Sequence, residues 1–129
     1  MIEVKNLSKQ FKAPTEEKGL FGPKKKAFWA VKDLDFQIKK GSVASILGPN
    51  GCGKTTTLRM IAGMLTPSRG TVFVDSVDVR KDKQTVKSKI GYMTNNTSLY
   101  DRLSVIETVK FFAELNQIPA DVYLSLIHI

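Results

Sequence analysis

A glycine-rich segment in the first half of the chain restricts its fold more than any other feature. The segment reads Gly48-Pro49-Asn50-Gly51-Cys52-Gly53-Lys54-Thr55-Thr56 and contains the spacing G-x-x-x-x-G-K-[ST]. Its glycines allow successive backbone N–H groups to point into one concavity and bind α- and β-phosphate oxygens. We expect the Lys54 ammonium at the β- and γ-phosphates and the Thr55 hydroxyl on Mg²⁺. The alternative is a glycine-rich turn that only matches the spacing.

The residues on either side of this segment favour the phosphate loop over a simple turn. Ser42 to Leu47 is a short apolar run that predicts a strand, and Thr56 to Ala62 predicts a helix. A helix placed directly after the loop turns the positive end of its dipole toward the phosphates. The sequence therefore predicts a nucleoside triphosphate site between a strand and a helix.

Further short elements are predicted around this site. A capping box, Ser104 with Glu107, starts a helix that runs to about Asn116, and Pro119 closes it. Prolines, glycines and a lysine run indicate that residues 12–28 form a mobile surface insertion. The predicted strands are residues 2–7, 34–38, 71–74 and 90–93.

Composition limits the class of protein. Apolar residues make up 42% and charged residues 25%, which is typical of a soluble globular chain and not of a disordered one. No secretory signal or run of about 18 apolar residues is present, so we expect a cytosolic chain. The single cysteine, Cys52, excludes an internal disulfide and suits a reducing compartment.

The net charge of +8 is compatible with nucleic acid or anionic lipid, but a solvated lysine-rich face is the commoner reason. No aromatic residues alternate with the lysine clusters. A stacking platform for single-stranded nucleic acid therefore has little support, and we expect no specific nucleic acid partner.

A longer segment around the loop resembles a known family. Leu47-Gly48-Pro49-Asn50-Gly51-Cys52-Gly53-Lys54-Thr55-Thr56-Thr57-Leu58-Arg59-Met60-Ile61-Ala62-Gly63 and the following Pro67-Ser68-Arg69-Gly70 resemble the nucleotide-binding subunit of ABC transporters, over about residues 1–120. The resemblance implies an α/β fold: the P-loop NTPase core of the ABC ATPase type with an N-terminal antiparallel β subdomain. It also implies ATP and Mg²⁺ as ligands.

Within that family, two segments are most similar to the subunits that serve ABC-2-type exporters, including sodium-efflux and drug-efflux pumps. They are Ile90-Gly91-Tyr92-Met93 and Leu99-Tyr100-Asp101-Arg102-Leu103-Ser104. The implied partners are a polytopic membrane subunit of an exporter and a second copy of the ATP-binding subunit in a head-to-tail dimer. Such a protein would lie on the cytoplasmic face of the plasma (inner) membrane.

The resemblance assigns roles to two residues outside the loop. Phe11 falls where the family places an aromatic residue that stacks on adenine; the alternative is that Phe11 only packs the first strand. Asn95 falls where the family usually has a glutamine that contacts Mg²⁺ and the attacking water. Its stem is one methylene shorter, so we expect a water-bridged contact in place of a direct one. Alternatively, Asn95 is a solvated loop residue and Asn96 serves instead.

Motifs that the family carries downstream do not occur in this sequence. They are the signature Leu-Ser-Gly-Gly-Gln, the apolar strand that ends in an Mg²⁺-binding aspartate and a catalytic glutamate, and the switch histidine; His128 stands near no such motif. We therefore expect residues 1–123 to be the N-terminal part of an ABC transporter ATP-binding domain, truncated before the signature motif, and we assign no catalytic residue within it.

The last six residues, 124–129, lie outside that resemblance and have a separate interpretation. Leu-Ser-Leu-Ile-His-Ile is the in-frame translation of CTGTCTCTTATACACATC, a transposon end used in preparing sequencing libraries. We expect a non-native tail there; the alternative is an apolar start to the family's helical subdomain.

Two other functions also remain open for the chain: a soluble ABC-type ATPase that acts on ribosomes or DNA, and a nucleotide-binding module without hydrolysis.

Overall fold

The computed structural model describes residues 1–19, 22–93 and 102–125. The chain divides into two compact units, Met1–Tyr92 and Met93–Ile129. The elements are β1 (Ile2–Gly19), β2 (Gly22–Ile38), α1 (Lys54–Ile61), β3 (Arg69–Val74), β4 (Val77–Asp78), α2 (Lys83–Lys89), α3 (Val105–Leu115) and α4 (Ala120–Ser125).

The first unit is built on an antiparallel sheet with the strand order β2-β1-β3-β4. Val4 of β1 lies opposite Phe36 of β2 and opposite Val72 of β3. Side chains two residues apart in a strand point to the same face, so Val72 and Val74 point to the same side. The strands predicted at residues 2–7, 34–38 and 71–74 are confirmed.

Within the predicted surface insertion, residues 12–28, the described residues belong to two paired strands. β1 and β2 continue through most of it, with Phe11 opposite Phe28 and Gly19 opposite Gly22, and the register shifts between Pro14 and Lys18. The described residues pair despite the prolines and glycines, because strands tolerate these residues at an edge or a bulge. The surface location agrees with the exposure of residues 26–29.

Helices α1 and α2 cover the sheet and close the core of the first unit. Met60 of α1 and Val86 of α2 are fully buried, as are Leu7 and Val72 of the sheet. Burying one such side chain contributes roughly 1.5–3 kcal/mol relative to leaving it exposed. The buried cluster consists of Val4, Leu7, Val31, Met60, Ile61, Val72, Val74, Val79 and Val86.

Two predicted strands are absent from the described part of the chain. Residues 42–47 have no strand pairing, and Val43 is 98% and Leu47 89% exposed. Ile90 ends α2 in an extended conformation, and residues 91–93 form no strand. Both predictions were wrong for one reason. An apolar run forms a strand only where a neighbouring strand accepts and donates its backbone hydrogen bonds, and no described strand does so here.

Strand β4 and helix α2 were not predicted from the sequence. Asp82 is the N-cap of α2, and its carboxylate accepts a hydrogen bond from the Thr85 backbone N–H at 3.0 Å. A hydrogen bond from the Thr85 hydroxyl and, to a lesser degree, the one from its backbone N–H lower the pKa of Asp82. Asp82 could have indicated the start of α2 in the sequence, because aspartate is a preferred N-cap residue.

The second unit contains α3 and α4. Ser104 and Glu107 form the predicted capping box, and α3 ends at Leu115 with Asn116 as its C-cap, as predicted. Pro119 does not directly close α3. Its carbonyl oxygen accepts a hydrogen bond from the Val122 backbone N–H at 3.1 Å, at the start of α4.

Parts of several sequence predictions, including the insertion at residues 12–28 and the exporter-like segment at residues 99–104, lie outside the described residues. The loop of residues 94–101, which includes Asn95, and residues 126–129 of the expected tail are among them. The first two residues of that tail, Leu124 and Ser125, belong to α4. Within the described ranges, no helix has both the length and the apolar character needed to cross a membrane.

Candidate functional site

The glycine-rich segment forms a loop that leads directly into α1. The Cys52 N–H donates to the Pro49 carbonyl oxygen at 3.4 Å, and the Thr57 N–H donates to the Gly53 carbonyl oxygen at 2.9 Å. Gly53 is the N-cap of α1, and no side chain caps the helix. The first N–H groups of a helix have no acceptor within it, so the start of α1 offers donors and a positive dipole end to an anion.

Gly53 is held where only glycine fits. Its φ is +94°, in the left-handed region that side chains disfavour. A Cβ at this position would overlap the carbonyl oxygen of Ala30 and lie 2.9 Å from the Val31 side chain. The loop therefore packs directly against strand β2.

The Lys54 side chain folds back over the loop. Its Nζ donates to the carbonyl oxygens of Gly48 and Pro49, each at 2.7 Å, and lies 3.9 Å from the Cys52 Sγ. Hydrogen bonds that involve an ammonium are short and strong, so Lys54 ties the start of the loop to its end. The same ammonium is the group expected at the β- and γ-phosphates.

Thr55 and Thr56 differ in exposure. Thr55 is exposed and Thr56 is half-buried, whereas the next residue, Thr57, is buried. The described residues contain no group of three or more His, Cys, Asp or Glu side chains that could hold a metal ion. The donor set nevertheless fits Mg²⁺ delivered with a nucleotide, because Mg²⁺ keeps several waters and takes few protein ligands beside phosphate oxygens.

An open cavity of about 310 Å³ adjoins the loop. Its size is at the lower end of the range for small-molecule sites. The described residues that line it include two lysines and no acidic residue, which suits an anionic ligand. They are Trp29, Ala30, Val31, Lys32, Leu34, Ile46, Leu47, Cys52, Gly53, Lys54 and Thr57.

The structure does not bring every predicted site residue to this cavity. Gly48 to Thr56 form one continuous loop and helix start, but Phe11 is not among the cavity-lining residues. The Phe11 ring lies 5.9 Å from the Phe28 ring and 5.3 Å from the Lys9 ammonium. Asn95 lies outside the described residues, so its role stays a prediction.

Trp29 and Arg69, which lie next to each other near the cavity, were not predicted from the sequence. Trp29 lines the cavity, and the Arg69 guanidinium lies 5.3 Å from the indole centroid. The pairing of β1 with β2 places Trp29 opposite Gln10. No local pattern in the sequence indicates this approach, because it depends on pairing between strands.

Comparison with known proteins identifies the family. A family model described as ABC transporter matches residues 31–128. The ABC transporter ATP-binding protein NatA of Bacillus subtilis is 47% identical over 96 residues, which cover 74% of this chain and 39% of NatA. The Fe(3+) ions import ATP-binding protein FbpC of Vibrio cholerae is 31% identical over 120 residues, which cover 93% of this chain and 30% of FbpC.

Comparison with solved structures identifies the same family. The ATP-binding cassette MJ0796, in a dimeric post-hydrolysis state bound to ADP and Pi, superposes with a TM-score of 0.72 at 27% identity, over 93% of this chain and 50% of the cassette. The chain thus spans about two fifths of the length of NatA. The predicted fold class, a P-loop NTPase core of the ABC ATPase type with an antiparallel sheet, is confirmed. The chain belongs to the ABC transporter family.

Proposed function

We propose that this chain binds Mg-ATP as the N-terminal part of an ABC transporter ATP-binding subunit. The observation that supports this function best is the loop from Gly48 to Gly53, which ends at an uncapped helix start with Lys54 folded over it. Backbone N–H groups, a lysine and a helix dipole are the groups that hold phosphates in P-loop proteins. The resemblance of the chain to a cassette bound to ADP and Pi supports the same ligand class.

In this proposal the loop residues have separate roles. The backbone of Gly48 to Gly53 holds α- and β-phosphate oxygens, and the start of α1 faces the same charge. Lys54 exchanges its bonds to the Gly48 and Pro49 carbonyls for bonds to β- and γ-phosphate oxygens. The Thr55 hydroxyl is exposed and ligates Mg²⁺. The metal ion, when bound, neutralises charge between the β- and γ-phosphates.

The partners of the whole protein follow from its family and are part of the proposal. The family resemblance implies a head-to-tail dimer with a second copy, and the dimeric state of the cassette MJ0796 supports a dimer. A polytopic membrane subunit would convert dimer closure into transport, which would place the protein on the cytoplasmic face of the membrane. We propose that the longer protein hydrolyses ATP.

Export is the direction that we propose. It rests on the similarity of residues 90–93 and 99–104 to the subunits that serve ABC-2-type exporters. Co-purification of the longer protein with a polytopic ABC-2-type membrane protein is the expected result. Co-purification with ribosomes or DNA would favour a soluble ABC-type ATPase instead.

The binding proposal is tested by calorimetric titration of the 129-residue chain with Mg-ATP. Lys54→Ala should cost about 1.5–3 kcal/mol, or roughly 10- to 150-fold in affinity, because it removes a charge-assisted contact to phosphate. Lys87→Ala is the matched control, since it removes the same charge from the exposed face of α2. Equal affinities for the two variants would show that the loop does not bind the nucleotide.

A further inference from the structure

We propose that Lys9, Thr66 and Lys83 form a second anion site, which binds a phosphate group. This inference goes beyond the proposed nucleotide site, because none of the three residues lines the cavity beside the phosphate loop. All three belong to the first unit, Met1–Tyr92. The ligand class is inorganic phosphate or a phosphomonoester, and the phosphomonoester belongs either to a soluble compound or to a lipid headgroup.

The segment between α1 and β3 bridges strand β1 and helix α2. Near its end, the Ser68 N–H donates to the Ser8 carbonyl oxygen of β1 at 2.9 Å. Near its start, Gly63 lies beside α2, since a Cβ at this glycine would be 4.0 Å from the Lys83 carbonyl oxygen. Thr66 lies between these two points in the chain, within reach of side chains from both elements.

Two ammonium groups converge on Thr66. The Lys9 Nζ donates to its carbonyl oxygen at 2.8 Å, and the Lys83 Nζ donates to its hydroxyl oxygen at 2.9 Å. Lys9 also lies 5.3 Å from the centroid of the Phe11 ring, and this cation–π contact restrains it. Both charges are therefore held close together by neutral acceptors. Like charges in such an arrangement repel each other and attract an anion.

No carboxylate among the described residues neutralises this pair. Within the described ranges, neither Lys9 nor Lys83 forms an ion pair. Asp82, the neighbour of Lys83 in the chain, accepts hydrogen bonds from the Thr85 N–H and hydroxyl instead. The Thr66 hydroxyl accepts from Lys83, so its own proton can be donated to a ligand. Two ammonium groups and one hydroxyl donor match the several acceptor oxygens of a phosphate group.

The site is tested by titrating the 129-residue chain with inorganic phosphate while NMR follows the backbone amide signals of Thr66 and Lys83. Lys54→Ala is the background, because it weakens competing binding at the phosphate loop. Lys9→Gln and Lys83→Gln should each weaken phosphate binding about fivefold, since each removes one charge from a partly exposed site. Lys9→Arg and Lys83→Arg retain the charge and should keep most of the affinity. Lys89→Gln is the matched control, because it removes the same charge from another exposed position of α2.

Vesicles distinguish the two sources of the phosphate group. Phosphatidylcholine vesicles that contain phosphatidic acid present a phosphomonoester at their surface, and pure phosphatidylcholine vesicles do not. Co-sedimentation with the first kind alone, lost in Lys9→Gln and Lys83→Gln and kept in Lys89→Gln, would identify a lipid headgroup as the ligand. Amide shifts with inorganic phosphate and no co-sedimentation would identify a soluble phosphate compound.

Three results would overturn the inference. Equal amide shifts with chloride at the same ionic strength would show that phosphate only screens the charges. The same phosphate affinity in Lys9→Gln, Lys83→Gln and Lys89→Gln would show that the two lysines only fasten the segment that contains Thr66. Absence of a response both to phosphate and to vesicles with phosphatidic acid would exclude the site. None of these results bears on Mg-ATP binding at the phosphate loop.

Discussion

At the scale of single residues, the candidate site depends on how closely backbone atoms approach each other. Gly53, at the end of the loop, packs against strand β2 and has a φ of +94°. Gly51 also has a positive φ, +82°. The two glycines differ in their surroundings. A Cβ at Gly51 would meet nothing within 4 Å, whereas one at Gly53 would overlap β2. Alanine substitutions at the two positions therefore separate the free-energy cost of a left-handed backbone from the cost of a steric overlap with β2.

We predict that Gly51→Ala lowers the free energy of unfolding by about 1–2 kcal/mol, the cost of a left-handed conformation for a residue with a Cβ. Gly53→Ala has the same cost and also displaces Ala30, so its effect should be larger, about 3 kcal/mol or more. Urea unfolding of both variants measures the difference. Equal losses would show that the loop does not pack against β2 in solution.

Asn95 carries a prediction from the sequence alone. A water-bridged contact to Mg²⁺ should become direct in Asn95→Gln, because the stem gains one C–C bond of about 1.5 Å. In the longer protein we expect Mg-ATP affinity to stay within about threefold while the rate of hydrolysis, or its stimulation by the membrane subunit, changes. Asn95→Ala should lower that rate further, since it removes the amide. Equal rates for all three proteins would identify Asn95 as a solvated loop residue.

At the scale of elements, local capping set some boundaries and long-range pairing set others. Helix α3 starts where Ser104 and Glu107 cap each other's backbone N–H groups. The Ser104 N–H donates to the Glu107 carboxylate at 2.8 Å, and the Ser104 hydroxyl donates to it at 2.7 Å. The hydrogen bond from the Ser104 hydroxyl and, to a lesser degree, the one from its backbone N–H lower the pKa of Glu107. In contrast, β1 and β2 extend through a segment rich in glycine and proline because the two strands pair with each other.

The capping box leads to a pH-dependent prediction for α3. The pKa of Glu107 in the folded chain is below its ordinary value of 4.5, so its contribution to stability is present above about pH 4.5 and is lost as the pH falls through the lowered value. An NMR titration of the Glu107 carboxyl should show this lowered pKa. Ser104→Ala should shift the pKa back toward 4.5, because it removes the hydroxyl donor.

Glu107→Gln is the control for the effect of pH on the stability of α3. Glutamine at this position can still accept from the Ser104 backbone N–H but does not titrate. Loss of α3 amide protection between pH 5 and 3, beyond that seen in Glu107→Gln, would therefore be due to the carboxylate. An unchanged pKa in Ser104→Ala would contradict the capping geometry.

At the scale of the whole molecule, the phosphate loop and the cavity both lie in the first unit, Met1–Tyr92. The residues that would activate water in the family belong to motifs that this sequence does not contain. In our proposal, these residues bind the nucleotide, and its hydrolysis also requires the downstream motifs of a longer protein.

The 129-residue chain should accordingly bind Mg-ATP and show no appreciable turnover. Stabilisation against thermal unfolding by Mg-ATP measures the first property, because a ligand of the folded state raises the midpoint of unfolding. Phosphate release measures the second. Turnover that Lys54→Ala abolishes would contradict this prediction and would place a water-activating group within these residues.

The sequence by itself determined the loop, the helix that follows it and the capped start of α3, because each depends on residues close together in the chain. Glycine spacing, Lys54 and the Ser104–Glu107 pair are signals of this local kind. Only the tertiary structure decided that residues 42–47 form no strand, that β1 and β2 pair within residues 12–19 and 22–28, and that Trp29 lines the cavity. These features depend on which strand lies beside which, and hydrogen bonding between distant segments is not encoded in local periodicity.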